Sequence, residues 1–381
     1  MVPAALVAVA LAESPALADP DPGDGADVKA DAGNRDGEPP RQPTGSFQLG
    51  AGFSTDDGFI ASAAIRQPNL FGRGQDLSLS ARLSQRRQLY LLHFGEPHLA
   101  DSDVALGVDL YSMAQEWPGF TRNAVGGALN LSHPLGEHAY GFVGYRLENI
   151  SVDPAGPQAA ERLTQPLAAP FLSSPEAWDP ALMMRGGLLS SVRTGIVYDT
   201  RDRPFFPRRG TFAGAWIERA DRQLGSEIDL TRGAAFADQH VPLGPLTFHL
   251  GGAVEAVTSR DPRGVPLSER LQLDGSSELR GYAPGSLGPS LGGIALGGNL
   301  KATGRAELEF PLVARFGLSG SIFYDAGGVM DLEGRAGSAV GHSVGIGLTW
   351  QSPIGPLQLG VAYPLDGEGG PQILLGIGMT F

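Results

Sequence analysis

From Gly45 to the last residue, apolar and polar side chains alternate one by one, segment after segment. Leu300, Ala302, Gly304, Ala306, Leu308 and Phe310 fall on one side of a two-residue repeat, with Lys301, Thr303, Arg305, Glu307 and Glu309 on the other. Val344, Ile346, Leu348 and Trp350 oppose Ser343, Gly345, Gly347 and Thr349, and Leu77, Leu79, Ala81 and Leu83 oppose Ser78, Ser80, Arg82 and Ser84. The final ten residues set Ile373, Leu375, Ile377, Met379 and Phe381 against Gln372, Leu374, Gly376, Gly378 and Thr380. A period of two belongs to β-strands whose faces meet different surroundings. Sixteen such segments can be marked, near 45–54, 58–67, 74–84, 87–96, 101–114, 119–132, 137–151, 190–200, 210–220, 226–239, 245–258, 299–311, 315–326, 341–351, 355–364 and 372–381.

An even strand number ending at the C-terminus lets the last strand pair with the first, so that no backbone edge faces lipid. Short connections such as "SHPLGEH" (132–138), "HVPLGP" (240–245) and "QSPIGP" (351–356) alternate with long ones at 152–189 and 260–298. Short turns at one end and long loops at the other are the habit of outer-membrane barrels. The expected fold is therefore all-β, a 16-stranded antiparallel transmembrane β-barrel over residues 45–381. Composition agrees, because 55 Gly among 381 residues with few helix-length apolar stripes favours one large β structure.

A formal charge of −13 argues against nucleic acid as a partner. The absence of Cys excludes disulfides and thiolate metal sites, and the seven His show no metal-ligand spacing. No metal or cofactor is expected. The longest apolar run, Pro3 to Ala12, is too short to span a bilayer as a helix. It is followed by Ala16-Leu17-Ala18, an A-x-A pattern that makes residues 1–18 a signal peptide by expectation, although no Lys or Arg precedes the apolar core. Residues 19–44 carry seven acids against three bases and little apolar surface, the composition of a disordered acidic tail or linker.

Two places concentrate polar chemistry. Asp199, Arg201, Asp202 and Arg208 crowd the stretch "YDTRDRPFFPRRGTF" (198–212), where Pro204, Pro207 and Gly210 favour a hairpin turn stapled by Phe205 and Phe206 over a catalytic cluster. The second is "DGSSELRGYAPGSLGP" (274–289), inside about forty residues with no strand or helix period, a length that is uncommon for an idle connection. Two G-x-S-x-G matches, at 288–292 and 341–345, lack the helix that would expose a nucleophilic serine, so no enzyme is expected.

Together with "GSFQLGAGFSTDDG" and "QPNLFGRGQ", the segments "YDTRDRPFFPRRGTF", "ELRGY" (278–282), "AELEFPL" (306–312), "FYDAGGVMD" (323–331), "QSPIGPL" and terminal Phe381 resemble the barrel of the BamA/TamA outer-membrane protein insertase superfamily, the bacterial surface antigen domain. The resemblance runs in order over residues 45–381. It implies that the loop before the twelfth barrel strand folds into the lumen, and that Arg280 of the Arg280-Gly281-Tyr282 tip contacts acids on the wall. By position those acids are Glu309 and Asp325, both on the charged faces of their strands. It also implies that the cluster of Asp199, Arg201, Asp202, Pro207 and Gly210 is a periplasmic turn. The periplasmic POTRA domains that precede the barrel in the family have no room in residues 19–44.

Two functions remain open. In one, the barrel assists insertion of outer-membrane proteins or translocation of polypeptides through a lateral seam between the strands around Phe47–Phe53 and Gln372–Phe381. Gly50, Gly52, Gly376 and Gly378 weaken packing there and would let a client strand add to the sheet. In the other, the chain is a passive channel or scaffold. A barrel hydrolase built on Ser343 is a remote third. The partners implied are outer-membrane lipids, client polypeptides and separate periplasmic accessory proteins.

Overall fold

The computed structural model describes residues 45–55, 57–156, 159, 161, 184–203, 206–291, 293–331, 338–352, 355–366 and 370–377. The expected signal peptide and acidic tail, and Phe205, Gly378 and Phe381, lie outside them. The strands are β1 (Ser46–Ser54), β2 (Gly58–Leu70), β3 (Gln75–Leu83), β4 (Arg87–Glu96), β5 (Ala105–Trp117), β6 (Phe120–Pro134), β7 (Ala139–Pro154), β8 (Gly187–Asp199), β9 (Gly210–Ala220), β10 (Leu230–Leu243), β11 (Leu246–Thr258), β12 (Ser290–Leu291), β13 (Ile294–Ala295), β14 (Leu300–Val313), β15 (Leu318–Met330), β16 (Ser338–Ser352), β17 (Gly355–Pro364) and β18 (Gln372–Ile377). All but β12 and β13 form one closed barrel of sixteen antiparallel strands, with β1 beside β18.

The alternation explains the closure. Phe47, Leu49, Ile196, Ile322 and Ile346 are each at least half exposed on the outer face, which suits lipid and not water. Their neighbours point inward and are buried or polar. Strand boundaries differ from expectation most at β10, which runs Leu230–Leu243 and not 226–239, and at β5, which starts at Ala105 and not near 101. Ala100 and Asp101 adopt positive φ of 52° and 59° in a short 3-10 turn, which extended backbone cannot follow.

The short connections between β2 and β3, β6 and β7, β8 and β9, β10 and β11, and β14 and β15 lie on the rim that also carries Ser46 and Ile377. The long connections leave from the other rim, one after Pro154 of β7 and one after Thr258 of β11. The second of these folds into the barrel. Leu273, Leu279, Tyr282 and Leu287 pack with Val329, while Leu267, Ile294 and Leu296 pack with Trp117 and Phe120. The lumen is therefore a packed interior over much of its height, with its own apolar cluster of Tyr140, Phe142, Val197, Phe212, Trp216 and Phe236 on the β7–β10 wall.

Candidate functional site

The tip of the inward loop is held by its arginine. The Arg280 Nε donates to Asp325 Oδ2 at 2.7 Å and Nη2 to Asp325 Oδ1 at 2.8 Å, a two-pronged pairing with a carboxylate that is 0% exposed. Nη1 donates to Glu307 Oε2 at 3.0 Å, and the guanidinium carbon sits 3.4 Å from the centre of the Phe323 ring. Asp325 is thus a partner, the one of the two acids implied by the resemblance that Arg280 meets. Glu309 is not the second one; Glu307 takes that place. Both glutamates face inward on β14, but Glu307 lies opposite Phe323 in the β14–β15 register and Glu309 opposite Ser321. The loop tip stops at the level of Phe323, and Glu309 sits two residues nearer the rim of the chain ends, roughly 7 Å further along the strand.

Gly281 makes this approach possible. Its φ is +102°, and a Cβ there would lie 3.2 Å from the Ser343 Cβ. Gly281→Ala is expected to destabilise the folded barrel by about 1–3 kcal/mol, the range of a strained backbone residue; the loss would be read as a lower temperature for conversion of the folded to the unfolded gel band. The Gly281 N–H donates to Gln372 Oε1 at 3.1 Å. The Tyr282 hydroxyl accepts the His342 N–H at 3.0 Å and donates to Asp366 Oδ2 (2.7 Å) or the His342 carbonyl (2.8 Å). His342 is exposed on the outer face beside Tyr324, whereas Ser343 is fully buried on the inner one. The two do not form a serine–histidine pair.

Further anchors run along the loop that no motif announced. Glu269 Oε1 accepts from Arg122 at 2.9 Å and Glu269 Oε2 from Arg232 at 3.0 Å; Lys301 Nζ donates to Glu278 at 2.6 Å; Arg270 donates to Asp331 at 3.0 Å; and Arg87 pairs with Asp274. Behind Glu269 a belt of wall charges continues through Glu148, Arg146, Glu218 and Arg193. Each charge is buried or half-buried and partnered, as withdrawal of a charge from water requires. The inward parity of these residues was the available clue. Which ones meet depends on register across several strands, and that the sequence did not hold.

At the seam, β1 and β18 pair through Ala51 with Ile377, Gly52 with Gly376, Phe53 with Leu375 and Ser54 with Leu374. Of the expected seam residues, Gly52 and Gly376 face one another. Phe47 and Gly50 lie further down β1, where they pair with Ile65 and Ser62 of β2. Thr55 extends the seam upward, its N–H donating to the Ile373 carbonyl at 3.2 Å and its Oγ1 accepting the Ile373 N–H at 3.1 Å.

The cluster between β8 and β9 is a turn on the rim of the chain ends. Arg201 straddles the Asp199 carboxylate at 2.9–3.0 Å and lies 4.1 Å over the Phe212 ring. Asp202 Oδ1 accepts the N–H groups of Arg208 (2.9 Å) and Arg209 (3.3 Å). Desolvation is the largest single influence and raises the Asp202 carboxyl, but these two bonds, with its own N–H and the Arg203 charge, together hold it below its ordinary range. Pro207 follows Phe206, whose φ is +50°, and Gly210, at φ +109°, would place a Cβ 2.3 Å from the Thr200 carbonyl oxygen. Every polar group named here closes the turn on itself, which makes it a structural element. Gly210→Ala is expected to shift the β8–β9 backbone and reduce the yield of folded barrel, measured as the heat-modifiable fraction in extracted membranes.

Comparisons with known proteins point the same way. The Omp85 superfamily domain matches residues 69–381. The outer membrane protein assembly factor BamA of Nitratidesulfovibrio vulgaris is 27% identical over 338 residues, 87% of this chain and 40% of that protein. BamA of Neisseria meningitidis serogroup B is 28% identical over 364 residues, covering 84% and 45%. The chain thus spans less than half the length of these curated relatives. Among solved structures, BamA from Haemophilus ducreyi lacking POTRA domains 1–3 superposes with a TM-score of 0.71 at 21% identity, over 88% of this chain and 70% of that one. CdiB from Acinetobacter baumannii does so at 0.58 and 11% identity, over 88% and 60%. A closed sixteen-stranded barrel with lipid-suited outer faces, matched by that domain over most of its length, makes the chain a member of the Omp85 superfamily and an integral outer-membrane protein.

Proposed function

We propose that the chain assists the insertion and assembly of outer-membrane proteins, or the passage of polypeptides across the outer membrane, by offering the β1–β18 seam to an incoming strand. One observation carries this reading. The β1–β18 ladder joins the first strand of the barrel to the last and, among the described residues, pairs glycine with glycine, Gly52 with Gly376. Backbone pairs removed from a sheet must be replaced inside lipid, so that ladder can open only where another strand supplies them. Gly52 and Gly376 contribute no side-chain packing to it. A client strand would add to the freed edge through main-chain hydrogen bonds, with no covalent step and no cofactor. The naming of the two curated relatives as outer membrane protein assembly factors supports the same reading. The implied partners are unfolded outer-membrane proteins, outer-membrane lipids and accessory proteins at the rim that carries the chain ends.

The test is reconstitution into liposomes with an unfolded small barrel as client. The expected result is faster client folding than with empty liposomes, with little ion conductance because the inward loop occupies the lumen. Conductance without any acceleration would replace this reading with that of a pore.

A further inference from the structure

The inward loop and the seam are joined by one side chain. Gln372 is the first residue of β18, 7% exposed, and its Oε1 accepts the Gly281 N–H at 3.1 Å. The next residue, Ile373, faces outward, and its backbone carries both bonds to Thr55 on the far side of the seam, at 3.2 and 3.1 Å. Consecutive residues therefore bind the loop on the inside and the opposite edge of the wall. The neighbours of Gly281 are fixed independently, Arg280 by Asp325 of β15 and Glu307 of β14, and Tyr282 by His342 of β16 and Asp366 between β17 and β18. The tripeptide thus hydrogen-bonds to β14, β15, β16, the turn after β17 and β18, and Gln372 is its hydrogen-bond partner on the seam strand.

We propose that Gln372 is a positioning residue through which the inward loop holds β18 against β1, so that release of the loop tip loosens the seam. This rests on the reading of the seam as the working edge. The coupling is short because no flexible segment intervenes: a shift of Gly281 pulls on Oε1, and Oε1 is fixed to the residue preceding the Thr55 clasp. A strand end bound on both sides is held in register, whereas one bound on one side frays like any terminus.

The experiment is amide hydrogen exchange on the full chain in liposomes, comparing Gln372→Met, which keeps the length and removes the acceptor, with Gln372→Glu, which keeps an oxygen at that place. Gln372→Met is expected to speed exchange at 51–55 and 373–377 by about fivefold, the scale of one buried hydrogen bond, with β6–β7 amides unchanged. Gln372→Glu should retain protection. In an Arg280→Ala background Gln372→Met should add little, since the tip has already been released. Unchanged seam exchange in Gln372→Met, or an equal rise across β6–β7, overturns the coupling. The liposome folding assay, run on the same samples, separates the two ideas: loosened seams without any client folding by the parent chain would sink the assembly reading and leave the coupling standing.

Discussion

Arg280→Ala is expected to produce the largest loss of stability of any single substitution in the loop. It removes both prongs from Asp325, which is 0% exposed, and one bond from Glu307. Breaking a buried pair from one side costs up to about 3–5 kcal/mol, and Asp325 would keep the more distant Arg305 Nε, 3.5 Å from its Oδ1, as its charged partner. The change should appear as a lower unfolding temperature and less folded barrel in the membrane. Asp325→Asn should reproduce most of it and Glu307→Gln a smaller part, while Glu309→Gln should have little effect. The double variant of Arg280→Ala with Asp325→Asn should fall well short of the sum, because both act on one network. Full stability in Arg280→Ala would mean that the loop is anchored without its tip, by Glu269 and its two arginines.

A cysteine pair at Gly52 and Gly376 is expected to abolish client folding when oxidised and to restore it when reduced. These residues are direct partners across the seam. Opposed residues in an antiparallel pair have Cα atoms about 4.5–5.5 Å apart, within disulfide range. The chain contains no other Cys, so the bond has no competitor. Oxidised protein that accelerates client folding as well as reduced protein would show that clients do not use the seam, whatever the state of the barrel.

The alternation made most of the fold readable before any coordinate. The pleat has a period of two, lipid demands apolar outer faces, and a closed sheet has no spare edge, so strand number and closure follow together. Depth was harder. Glu307 and Glu309 share a face and a chemistry, and parity cannot choose between positions two residues apart. Only the place where the loop tip comes to rest, over Phe323, separates them. The wall network shows a different barrier. Arg146 and Glu218 are 72 residues apart, on β7 and β9, and meet across the inner face of β8. Such a pair needs the registers of two strand pairings at once, and no local pattern encodes that. The turn at 199–210 was legible for the opposite reason: Asp202 binds the N–H groups of Arg208 and Arg209, a contact contained within one short stretch.

The clasp between Thr55 and Ile373 also says something about time. Those two residues are 318 apart in sequence, so the contact that turns an open sheet into a ring must wait for almost the whole chain. Pairings of such separation form late, because loop entropy opposes them until the intervening strands are in place. During that wait a newly made copy presents two bare edges, each a template for aggregation. A newly made copy therefore needs both edges sheltered until its last strand arrives.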